Sequence, residues 1–175
     1  NRGEESKEVL QIVRPMVQSG NAQAILGNHE LNLMAFYTLD DLNKPLLSHS
    51  VRNMLQLLPV FESFKNAEAE LHDYIDWMYS LPLFLEHEDF RVVHACWQQS
   101  SIDFVRSFFP KKKINRELMI KVFQQRGAEA KAIQTLIKGP EIPLPKNKRA
   151  VDADSIRRGY IRVKWWEDHK GKTYK

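Results

Sequence analysis

A chain of 175 residues, 43% of them hydrophobic and 27% charged, is long enough to bury one sizeable core and is read as a single domain. Its one cysteine, Cys96, excludes an intramolecular disulfide and fits a reducing compartment, and no apolar run is long enough to span a bilayer, so the expected setting is the cytoplasm. The net charge of +4 is concentrated late, in Lys111-Lys112-Lys113, Lys146-Asn147-Lys148-Arg149 and Arg157-Arg158. Such runs attract polyanions, but no aromatic residues interleave with the lysines as a single-strand binder requires. Solvated loops and helix starts are the favoured reading of these runs.

In chain order, Asn1-Arg2-Gly3 leads into a helical pattern over residues 4–18, carried by Val9, Leu10, Ile12, Val13, Met16 and Val17. Arg2, beside a glycine at the mouth of a helix, is placed to hold a phosphate bidentately, against the commoner reading of a solvated terminal arginine. The apolar run Ala24-Ile25-Leu26 predicts a short strand over 23–27 that ends in Gly27-Asn28-His29-Glu30. A turn there delivers an amide oxygen, an imidazole and a carboxylate to one point. Asn28 offers a neutral oxygen to a hard cation, His29 can protonate a departing alkoxide, and Gly27 has no Cβ to obstruct the turn. The plainer alternative is a strand-to-helix turn with Asn28 as the N-cap and Glu30 favouring the helix dipole.

After a further helical stretch, residues 48–58 and 66–79 read as two helices bounded by Pro59 and Pro82, the second with Leu71, Tyr74, Ile75 and Met78 at helical spacing. Leu83-Phe84-Leu85 and Phe90-Arg91-Val92-Val93 flank the polar Glu86-His87-Glu88-Asp89, which predicts a hairpin with His94 at the end far from its turn. A histidine at a strand's C-terminal end faces the crevice where α/β sheets place ligands, although a satisfied core histidine is the usual alternative. Helices are expected over 102–109, 115–125 and 128–138, the last two separated by Gly127. The proline-rich 139–145 reads as a loop too rigid and donor-poor for regular structure, and 160–166 as a late strand with Arg162 and Lys164 on a wet face. Trp165 and Trp166 could support a late metal-binding loop or stack on a nucleobase, with core packing the favoured role for at least one of them. His49, His72 and His87 read as surface or packing residues, and His169 lies in a polar turn.

Three blocks, Asn1-Arg2-Gly3, Gly27-Asn28-His29-Glu30 and His94-Ala95-Cys96, stand in the order in which the calcineurin-like metallophosphoesterases carry the end of Gly-Asp-x-x-Asp-Arg-Gly, then Gly-Asn-His-Glu, then His-Ala-Gly. Leu81-Pro82-Leu83 also resembles that family. Over residues 1–97 the chain therefore resembles this superfamily, in its phosphoprotein-phosphatase-like branch. By pattern it is nearest the bacterial symmetrical diadenosine tetraphosphatases and related small phosphatases. The family's Gly-Asp-x-His-Gly and its late Gly-His are absent, so the expectation is an internal fragment, a single partial domain over 1–175. The resemblance implies an α/β fold, a layered α/β/β/α sandwich with its N-terminal strands missing and a helical cap insert over 47–80.

The resemblance also implies a metal-dependent phosphoesterase working through two divalent ions, manganese foremost, with iron, zinc or nickel as alternatives. Asn28 and His94 would ligate the second metal, His29 would be the general acid, and Arg2 would bind the substrate phosphate. Where the family has Asp, this chain has Asn1, which weakens support for His29 unless Glu30 helps. Cys96 stands in place of a glycine and reads as an inert buried thiol, with zinc ligation the lesser alternative. Substrates would be a phosphorylated small molecule, a dinucleoside polyphosphate or a phosphoprotein. The competing reading is a degenerate, non-catalytic module that binds a partner or RNA through its basic C-terminal region.

Overall fold

A computed structural model of the chain describes residues 3–109, 112–151 and 157–167. Helix α1 (Ser6–Gln18) buries Leu10 and leaves Val9, Ile12 and Met16 in solvent. Residues 22–27 then run extended with Leu26 fully buried, yet they form no strand, contrary to the sequence expectation. The Leu26 N–H donates to the Pro82 carbonyl (2.8 Å), but proline has no N–H with which to continue a ladder. Helix α2 (Asn28–Tyr37) follows directly and buries Leu31, Leu33, Met34, Ala35 and Phe36. Such a run is apolar on nearly every side, as a helix enclosed by other elements must be.

Helix α3 (Val51–Ser63) begins at Ser50, whose hydroxyl accepts from the Asn53 N–H (3.4 Å). It runs through Pro59, which the sequence reading placed at its end. Burial of Leu57 and Val60, and of Phe64 just beyond the helix, offsets the poor fit of proline in a helix interior. Replacing Pro59 with alanine is therefore expected to raise stability by about 1–3 kcal/mol, by giving the Leu55 carbonyl an N–H partner. A urea midpoint that falls or stays put would refute this.

Helix α4 (Glu68–Met78) buries Leu71, Tyr74, Ile75 and Met78, the four positions its spacing predicts. Lys7–Glu70 (2.8 Å) and the Arg14–Asp73 pair clasp α1 to α4. Hydrogen bonds from Lys7 and Gln11 hold the Glu70 carboxyl below its ordinary value, and one from Arg14 does the same for Asp73. The clasp is thus intact above the ordinary carboxylate range and is lost as pH falls through the lowered values. Both pairs lie at the surface, partly covered, and contribute little to stability.

Strands β1 (Phe84–Glu86) and β2 (Arg91–Val93) pair antiparallel, with Phe84 opposite Val93 and Glu86 opposite Arg91. His87 stacks on Phe90 in the connecting turn, and Arg106 of helix α5 (Gln99–Phe108) ties down Glu86. Helix α6 (Arg116–Phe123) is capped by the Asn115 side chain, which accepts from the Leu118 N–H (2.8 Å). Helix α7 (Gly127–Lys138) packs on α5 and α6 and ends at Gly139, whose φ of 80° suits a residue without a Cβ.

The segment read as a structureless loop contains strand β3 (Glu141–Pro143). After the short β4 (Ala150–Val151) and β5 (Arg157–Arg158), strand β6 (Tyr160–Arg162) pairs with β3, Ile142 opposite Ile161. The Val163 N–H donates to the Pro140 carbonyl and the Leu144 N–H to that of Gly159. Pro143 therefore sits at a non-hydrogen-bonded position of the ladder, where its missing N–H costs no bond. Regular pairing stops at Arg162, short of the predicted 160–166, because Trp165 and Trp166 lie in a turn.

Among the described residues the strands form three two-stranded antiparallel ribbons, β1–β2, β3–β6 and β4–β5. A single hydrophobic cluster runs from Leu26 and α2 through α3 and α4 to Phe84, Met119 and Ile133, so both helices of the 47–80 segment share the core. No helix among the described residues is long and apolar enough to cross a membrane.

Candidate functional site

Gly27 is the N-cap of α2, with φ −106° and ψ 176°, and Asn28 is the first helical residue. The backbone there is extended, so the turn does not demand glycine conformationally. A Cβ at Gly27 would crowd its neighbours, lying 2.6 Å from Glu30 Oε2, 2.9 Å from His94 Cε1 and 3.0 Å from His94 Nδ1, so those side chains would have to move. The Gly-Asn-His-Glu turn and the residue after β2 therefore meet at one point, with the glycine admitting both side chains.

Asn28 adds a feature that composition could not disclose. Its Oδ1 is buried and has no hydrogen-bond partner, whereas buried polar atoms are ordinarily satisfied. An amide oxygen in that state suits a cation. His94 is exposed, one residue beyond β2, and its ring abuts Gly27. His29 and Glu30 are half-buried in the first turn of α2, where backbone N–H groups lack intrahelical acceptors. Arg2 lies outside the described residues, as do Lys111 and His169.

Asn28 and His94 fit part of a divalent cation's shell, a neutral oxygen and an imidazole nitrogen. Among the described residues no group of three or more His, Cys, Asp or Glu side chains converges to complete one. Burial pushes the Cys96 thiol above its ordinary value, opposite to what a zinc thiolate needs. The His49 ring N–H donates to the Phe36 carbonyl (2.9 Å) and the ring stacks on that of Phe36, His72 meets Tyr37 edge-on, and His87 bonds Gln23 (2.8 Å). All three are exposed and in contact with neighbouring side chains or backbone, in keeping with the surface-or-packing reading of the sequence.

The loop that carries His94 is held from two sides. The Ala95 N–H donates to the Leu136 carbonyl of α7 (2.9 Å), and the Trp165 indole N–H donates to the Ala95 carbonyl (2.8 Å). Trp165 thus braces the loop after β2, not the later metal loop that the sequence reading has in view. Nearby at the end of α7, burial drives the Lys138 ammonium below its ordinary value, with Glu141 opposing and Arg162 adding to the shift. Part of the basic surface is engaged internally: Lys112 sits 5.0 Å over the Phe84 ring and Arg149 donates to the Lys146 and Lys148 carbonyls. A cavity of about 420 Å³ between Asp41, Arg116, Lys121, Arg126 and Glu129 is lined by neither Asn28 nor His94, and Lys121 there pairs with Glu129 (3.2 Å).

No family model and no solved structure matches the chain. The chain is 33% identical over 94 residues to the symmetrical bis(5'-nucleosyl)-tetraphosphatase of Vibrio campbellii. The shared stretch is 54% of this chain and 30% of that protein, so the chain spans less than a third of its relative. The similarity supports a distant metallophosphoesterase-like relationship and, coarsely, a hydrolase.

Proposed function

We propose that the protein carrying this chain is a metal-dependent phosphoesterase that hydrolyses phosphate esters or nucleoside polyphosphates. The observation that carries the reading is the unsatisfied Asn28 Oδ1, buried in the turn that Gly27 opens to His94. In this reading the 22–27 pass and the β1–β2 ribbon are parts of a layered α/β/β/α sandwich, and the 47–80 helices form its cap.

Asn28 and His94 would hold one of two divalent cations, manganese foremost, with iron, zinc or nickel as alternatives. A cation there supplies Lewis-acid polarisation of a phosphoryl oxygen. The N-terminal end of α2 would favour the substrate's negative charge, and Arg2 would grip a second phosphate oxygen. His29, protonated on a ring nitrogen, would deliver that proton to the leaving-group oxygen. Glu30, beside His94 over Gly27, would orient the groups around it.

Asn28→Ala separates this role from a structural one. Without metal the variant is expected to be no less stable than the parent, because Oδ1 makes no hydrogen bond to lose. Manganese is expected to raise the parent's Tm, while its affinity for the variant falls at least about 10-fold, the low end even for a lost outer-shell partner. Equal stabilisation of both proteins by manganese would sink the assignment. Manganese-dependent hydrolysis of p-nitrophenyl phosphate by the protein tests the activity itself, and a folded, manganese-supplied protein that hydrolyses none would count against it.

A further inference from the structure

Trp165 and Trp166 leave more aromatic surface in water than a packing role explains. Trp166 is 66% exposed and Trp165 39%, their ring centroids 5.7 Å apart and their planes at 88°. The Trp165 N–H donates to the Val163 carbonyl and the Glu167 N–H to that of Lys164, both at 2.9 Å, which shapes the backbone turn that carries the two rings. The Trp165 indole is held by its bond to the Ala95 carbonyl, next in sequence to His94. Its one polar atom is thereby occupied, and what the Trp165 ring offers a ligand is its π face.

We propose that this corner is a stacking platform for the base of a nucleoside phosphate, with Trp166 as the principal ring. The inference rests on the phosphoesterase reading for the phosphate end and commits to a nucleotide as the substrate class. The Trp165 bond to the Ala95 carbonyl ties this corner to the loop that carries His94, where the phosphate end would be held. Cationic Arg162 and Lys164 flank the corner, each already paired with a carboxylate, Glu141 (3.8 Å) and Glu167 (3.2 Å). Recognition by stacking alone tolerates any base and favours the larger purines.

The test is equilibrium binding of AMP and of ribose 5-phosphate to the chain, to Trp166→Ala and to Trp166→Phe. The parent is expected to bind AMP more tightly than ribose 5-phosphate. Trp166→Ala should weaken AMP binding by about 5- to 160-fold, the range for loss of one stacked base, and Trp166→Phe should restore most of it. AMP affinity indifferent to Trp166, or no preference for AMP over ribose 5-phosphate, would overturn the platform. Hydrolysis assays with diadenosine tetraphosphate separate the two readings. A protein that binds AMP through Trp166 yet hydrolyses nothing with manganese supplied keeps the platform and loses the phosphoesterase. A manganese-dependent hydrolase blind to Trp166 does the reverse.

Discussion

Replacing His29 with alanine is expected to lower turnover of an ester with a poor leaving group by roughly 10²–10⁴-fold, the usual worth of a positioned general acid. The effect should shrink with p-nitrophenyl phosphate, whose leaving group needs little help. That difference is the diagnostic, because lost folding or lost metal would depress both substrates alike. His29 stands in the first turn of α2, between Asn28 and Glu30, on a helix whose other side is core. The imidazole is thus carried by one of the most firmly packed elements, as precise proton delivery requires. Comparing phenyl phosphate with p-nitrophenyl phosphate, for the parent and His29→Ala, decides the matter. Equal losses on both would remove His29 from the acid role, and unchanged turnover would remove it from catalysis.

Phe84→Ala is expected to destabilise the fold by about 3–5 kcal/mol, the range for emptying a closed aromatic site. Phe84 is fully buried, meets Trp97 edge-on at 5.6 Å, lies under the Lys112 ammonium and faces Val93 across the hairpin. Val93 immediately precedes His94, so the cavity would open beneath the residue that must meet Gly27. Phe90, 57% exposed at the other end of the same hairpin, is the control, and Phe90→Ala should cost under about 1 kcal/mol. Urea unfolding of the two variants gives the comparison. A Phe84→Ala loss no greater than that of Phe90→Ala would mean the hairpin is not anchored where the structure places it.

Much of the local structure is legible in the chain. Helix α4 carries its core residues at the spacing that buries them, the β1–β2 hairpin announces its polar turn, and Asn115 marks the start of α6. Each depends on neighbours a few residues away, and that is the range over which pattern and capping chemistry act. The failures share a different cause. Whether 23–27 is a strand depends on what lies alongside, and there the neighbour is Pro82, with no N–H to return. Whether Pro143 can join a ribbon depends on which face of the ladder its nitrogen takes. Pro59 stays inside α3 because distant core residues reward the continued helix.

For the candidate site the division is the same. The sequence alone determines the donors, an amide oxygen at Asn28, imidazoles at His29 and His94 and a carboxylate at Glu30, and it places three of them in one turn. Only the tertiary structure brings His94 over Gly27, leaves Asn28 Oδ1 buried without a partner and pins the His94 loop with an indole 70 residues away. Contacts between residues so far apart in the chain are decided by how helices and ribbons pack, which no local pattern of residues encodes.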